Sequence, residues 1–112
     1  MIHMLSRFDV IAGVDPAEFA AAYARLSDVM VAQELLVSST PVGRRLADTP
    51  MDTDQTCTTR FFSVMTFRDR AQLDKAYAHL LHPPVSGEDT ETHEFVKSAC
   101  TAPVFTCWQD LS

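Results

Sequence analysis

Apolar and polar residues alternate from Ile2 to Ile11, as in a β-strand: Ile2, Met4, Phe8 and Val10 share one face, and His3, Leu5, Arg7 and Asp9 share the other. Both faces carry apolar side chains, as expected of a strand covered on two sides. Gly13 opens a turn, and Asp15-Pro16-Ala17-Glu18 marks a helix start. Asp15 can cap, Pro16 loses nothing at a first helical position, and Glu18 completes a capping box. Phe19, Tyr23, Leu26 and Met30 then recur at helical spacing, and the helix is expected to run to about Gln33.

Leu35 to Leu46 reads as a second strand interrupted near Pro41 and Gly43, which places it at a sheet edge or beside a bulge. The polar stretch from Ala47 to Thr58 reads as an exposed, solvated loop whose acids do not match a calcium loop. Phe61 to Phe67 is a third strand. Asp69 and Gln72 open a second helix, whose apolar stripe is Leu73, Ala76, Tyr77, Leu80 and Leu81 and which Pro83-Pro84 end. Glu88 to about Ala99 forms an extra helix, with Glu88, Asp89 and Glu91 suited to the positive end of its dipole. Val104 to Asp110 is the last strand, with Val104, Thr106 and Trp108 on one face and Phe105 and Cys107 on the other; Cys107 reads as a small core residue.

The order βαββα, helix, β predicts one α+β domain over residues 1–112. It is a ferredoxin-like βαββαβ sandwich with an antiparallel four-stranded sheet, the first and third strands central and the helices on one face. The other face, with Leu5, Ile11 and aromatics of the third strand, then needs a cover, and a second copy of the chain supplies one.

Composition narrows the picture. Apolar residues make up 46% and charged residues 21% of the 112 positions, an ordinary globular balance. No apolar run approaches the ~20 residues of a membrane-spanning helix, and the N-terminus lacks the pattern of a secretory signal, so a cytoplasmic location is expected. The net charge of −6 argues against nucleic-acid and membrane-surface partners. Arg60 to Phe67 partly resembles the third-strand motif of RNA-recognition domains. However, Phe61 replaces a glycine, and Val64 stands where a stacking aromatic belongs. Cys57, Cys100 and Cys107 show no CxxC spacing and suit a reducing compartment.

The length, the element order, the capped helix after the first strand and the segment FRDRAQLDKAYAHLLH (67–82) together resemble the dimeric α+β barrel superfamily. There a strand ending in Phe-Arg leads into a helix carrying Tyr and His. The C-terminal FTCWQD also resembles a small group of uncharacterised bacterial proteins. The superfamily resemblance implies a dimeric barrel. It also implies a function among cofactor-independent monooxygenases of quinone formation, haem-degrading enzymes, small isomerases and decarboxylases, or members without known activity. Two features of the monooxygenase and haem-degrading branches, an Asn on the first strand and a Trp near the third, are missing: the chain contains no Asn, and Phe61, Phe62 and Phe67 occupy the third strand. His79 falls where the haem-degrading branch places its iron ligand.

The candidate chemistry centres on histidine, the natural general base near neutral pH. His79 and Arg7 are the expected catalytic pair, with Arg7 or Arg44 orienting an anionic or phenolic oxygen and His79 moving a proton. His3, Arg44, Phe62, Tyr77 and Trp108 are the expected ligand-binding residues, Phe62 and Trp108 packing an aromatic ring. His79 and His82 equally suit helix-end positions, where they complement the C-terminal dipole. Their i, i+3 spacing, with His93 or Cys100 as a third ligand, lacks the carboxylate or cysteine of a tight metal motif, so no metal and no tightly held cofactor is assigned. Two functions follow: a cofactor-independent enzyme, monooxygenase-like or isomerase-like, acting on a hydrophobic or aromatic metabolite, or a non-catalytic dimer that binds a metabolite or a protein.

Overall fold

A computed structural model describes residues 1–82 and 88–112. Along the chain lie β1 (Ile2–Val10), α1 (Pro16–Ala32), β2 (Ser38–Ser39), β3 (Gly43–Arg44), β4 (Phe61–Phe67), α2 (Arg70–Leu81), α3 (Glu88–Ala99) and β5 (Cys100–Gln109). The sheet order is β2-β4-β1-β5 with β3 also on β4, and every pairing is antiparallel. The expected second strand is thus present as two short ladders along one edge. Gly43 opens β3 opposite Phe62, whose ring covers it so closely that a Cβ would collide with the ring. The fold is the ferredoxin-like α+β arrangement, with β1 and β4 at its centre.

The alternation in β1 sorts the molecule into two sides. Ile2, Met4, Ser6, Phe8 and Val10 are buried, and the residues between them are half-exposed. The buried set packs under α1, whose Phe19, Tyr23, Leu26 and Met30 face the sheet, together with Phe61, Met65 and Phe67 of β4. Asp15 caps α1 through the Ala17 N–H at 3.0 Å, with Pro16 opening the helix and Glu18 in its first turn. The helix closes with Glu34 at φ 61, held by the Leu35 N–H donating to Met30 O at 2.9 Å, a C-terminal lock usually built on glycine. Asp69 caps α2 through the Gln72 N–H at 2.9 Å. The Gln72 side chain reaches back to the Arg68 N–H.

Three expectations are revised. β5 begins at Cys100 rather than Val104; an edge strand tolerates Pro103, and a register shift opposite Arg7–Asp9 absorbs the irregularity, with Ala102 at φ 51. Cys107 shares a face with Phe105 as expected, yet it is exposed, because α2 and α3 leave the β5 edge of that face partly uncovered. The acidic loop is tied down rather than simply solvated. Arg45 grips both carboxylate oxygens of Asp52 at 2.8 and 2.9 Å and donates to the carbonyls of Asp54 and Cys57, while Arg7 pairs with Asp54 at 3.2 Å. Pro83, Pro84 and the side chains of Glu88 and Asp89 lie outside the described residues. No helix among them is long and apolar enough to cross a membrane.

Candidate functional site

On the helix side of the sheet, side chains of α1, α3, β1 and β5 line a cavity of about 310 Å3. That volume lies at the lower end of the ~300–1,000 Å3 range of small-molecule sites. Met4, Phe8, Phe19, Leu26, Val96 and Phe105 supply apolar walls. Into this lining project Ser6 from the floor, Tyr23 from α1 and His93 from α3. Each stands where secondary-structure period demands an inward side chain. Ser6 continues the buried register of β1, and His93, Val96 and Ala99 form the buried stripe of α3.

The polar atoms here divide into satisfied and unsatisfied. The Tyr23 hydroxyl shares a 2.6 Å hydrogen bond with the Ser63 hydroxyl, and burial raises the phenol above its usual range. Ser6 is 3% exposed and His93 8%, and neither Ser6 Oγ nor His93 Nδ1 has a hydrogen-bond partner among the described residues. A buried polar atom without a partner costs ~1–3 kcal/mol, so two of them on one cavity are expected to meet a ligand or water. Burial also holds the His93 imidazole below its usual pKa, and the neighbouring charges of His79 and Lys97 act in the same direction against the opposing effect of Glu94. His93 is therefore a neutral base at pH 7. Cys100, which also lines the cavity, has its thiol pushed up by burial and by Asp9, which makes it a poor nucleophile.

The sheet distributes the expected site residues over three places. Tyr77 lies on the helix side, in a second hollow that shares Met4, Leu80 and Phe105 with the cavity. Its hydroxyl donates to Met4 Sδ at 3.4 Å and meets Cys107 Sγ at 3.1 Å. Its pKa is pushed up to about 12, by burial first and then by Cys107, so it stays a phenol. His79 is half-buried on α2 and lines neither hollow. Arg7, Arg44 and Phe62 meet at the end of the sheet, in a separate concavity closed by the Arg45–Asp52 loop, and the Arg44 guanidinium lies 5.3 Å from the centre of the Phe61 ring. Cys57 opens there too, its thiol lowered chiefly by the hydrogen bond to Thr59 and further by Arg7 and Arg45. His3 and Trp108 lie opposite one another on the face away from the helices. His3 bonds Thr66 Oγ1 at 3.0 Å and Asp110 at 2.8 Å. Arg7, Phe62 and Trp108 are thus separated by the sheet from His79 and Tyr77.

In the sequence His93 is one of four histidines and a possible third metal ligand, Tyr23 belongs to a helix stripe, and Ser6 does not stand out. The signal for Ser6 was its position in the inward register of β1, and for His93 its spacing from Val96 and Ala99. Among the described residues no three His, Cys, Asp or Glu side chains come together as a metal set.

No protein-family model matches the chain, and no curated protein matches it in sequence. Solved structures do share the architecture. The Arabidopsis thaliana protein At3g17210 superposes with a TM-score of 0.70 at 11% identity, over 100% of this chain and 97% of that one. SnoaB, a cofactor-independent oxygenase from Streptomyces nogalater, superposes with a TM-score of 0.66 at 15% identity, over 99% and 93%. A dimeric protein of unknown function with a ferredoxin-like fold, from Bacteroides fragilis, gives 0.57 at 11%, over 97% and 95%. These likenesses bear out the ferredoxin-like fold.

The buried imidazole makes one expectation measurable. The unfolded chain takes up a proton at His93 as pH falls through about 6.5, whereas the folded chain, with its depressed pKa, takes it up only at lower pH. Stability at this residue is therefore complete above that range and is lost as pH falls through the folded pKa. Denaturant unfolding at pH 7.5 and 5.5 is expected to show a drop in wild type that shrinks in His93→Phe. An equal drop in both proteins would place the titration elsewhere.

Proposed function

We propose that the protein is a small enzyme that takes a hydrophobic or aromatic metabolite into the helix-side cavity and acts on it without a tightly held cofactor. The supporting observation is an apolar cavity on which Ser6 Oγ and His93 Nδ1 are both buried and unpartnered. A neutral imidazole in such surroundings accepts a proton from a phenol or an activated C–H, and the Ser6 hydroxyl donates to the oxygen on which negative charge develops. In an isomerase-like reaction the proton returns at a different carbon; in an oxygenase-like one the electron-rich intermediate meets dioxygen as co-substrate. The role first expected of His79 passes in this reading to His93. That SnoaB, with the same fold, is a cofactor-independent oxygenase favours the oxygenase form.

The proposal is tested with untagged protein against a panel of phenols and hydroquinones, by thermal shift and by dioxygen uptake. At least one aromatic is expected to stabilise the fold, and His93→Phe is expected to cut its turnover by roughly 10²-fold or more. Turnover unchanged in His93→Phe would contradict the proposed role.

A homodimer through the open sheet face is the second element of the proposal, and it also serves the alternative of a non-catalytic metabolite-binding or protein-interaction dimer. Trp108 is 63% exposed, Val104 43% and Phe62 39%, and half-buried Leu5 and Val64 lie between them on the same face. An apolar sheet face of this kind is typical of an interaction surface. Light scattering is expected to give twice the 12.5 kDa chain mass, falling to one chain in Val104→Glu/Trp108→Glu. A monomeric wild type would end the dimer proposal.

A further inference from the structure

The charge of the cavity lining runs against that of the chain. The protein carries fifteen acids against nine Lys and Arg, yet among the described residues no carboxylate lines the helix-side cavity. Among the described residues the one lining side chain with a full formal charge is Lys97, one helical turn beyond His93 on α3. Lys97 is exposed and forms no ion pair among the described residues. Glu94, the acid nearest in sequence, is exposed and does not line the cavity. At this exposed rim position an anionic end of a ligand gains a close-range charge partner that a neutral ligand does not. Deeper in, Ser6 Oγ and His93 Nδ1 wait for polar partners.

We propose that the ligand of this cavity is an amphipathic organic acid, its carboxylate at Lys97 and its apolar body between Phe8, Phe19, Leu26 and Phe105. The inference rests on the cavity being the ligand site, and it adds the ligand's charge. Ser6 and His93 then serve a second oxygen on the body of the ligand, and Lys97 fixes which end enters first. The acidic surface elsewhere repels anions at long range, so selection falls to this single cation at close range.

Two probe pairs test it, 2-naphthoate against 2-naphthamide and octanoate against octanamide, with Kd measured by isothermal titration on the untagged protein. At least one acid is expected to bind about fivefold tighter than its amide, the size of a partly exposed ion pair. Lys97→Met, at an exposed position, is expected to remove that preference while leaving the amide's affinity unchanged, and added salt weakens only the acid. Acid and amide binding equally well would overturn the inference and leave the cavity as a ligand site. Binding of neither member of either pair would overturn both.

Discussion

The strict alternation of β1 at the centre of the sheet is the constraint on which the rest depends. With β4 on one side and β5 on the other, its backbone is fully engaged, and a slip of one residue would exchange its two faces. The inward set, Ile2 to Val10 by twos, meets α1 and forms the core; the outward set, His3, Leu5, Arg7 and Asp9, faces away from the helices. Ser6 is the single polar member of the inward set. It is paired with Ser63 of β4 and Phe105 of β5, so the floor of the cavity is set by strand register and not by loop conformation.

That register also explains why the cavity lies where it does. Tyr23 reaches from α1 to Ser63 at the centre of the sheet, which uses up the polar group of β4 and leaves that of β1 open. α3 closes against α1 and brings His93 over the opening, but neither it nor α2 covers the β5 edge completely. Phe105 and Cys107 therefore remain accessible from outside. The result is a neutral base and a hydroxyl in a low-dielectric space with an entrance, an arrangement suited to proton transfer on an apolar molecule.

Much of the fold was legible in the chain. The Asp15-Pro16 start, the Phe61–Phe67 strand, the Asp69–Gln72 start and the two faces of β5 are local signals, and each appears where the local physics places it. What escaped were features that depend on distant partners. The early start of β5 was hidden by Pro103, which only an edge position makes tolerable. The Arg45–Asp52 grip needs the loop folded back over seven residues, and the exposure of Cys107 depends on how far α2 extends. The candidate site was less legible: the sequence points to His79 of α2, whereas the histidine that lines the helix-side cavity is His93 of α3. The conspicuous aromatic and cationic residues Arg7, Phe62 and Trp108 fall on the side of the sheet away from His93, because strand period carries them there.

Entry of ligand between the helices and the inward face of β1 can be followed through backbone and imidazole NMR signals during titration with an aromatic ligand. Shifts are expected to concentrate at Ser6, Tyr23, His93 and Val96, with the His93 ring perturbed most. Shifts confined to Arg7, Phe62 and Trp108, with His93 unmoved, would contradict it and move the site to the opposite face of the sheet.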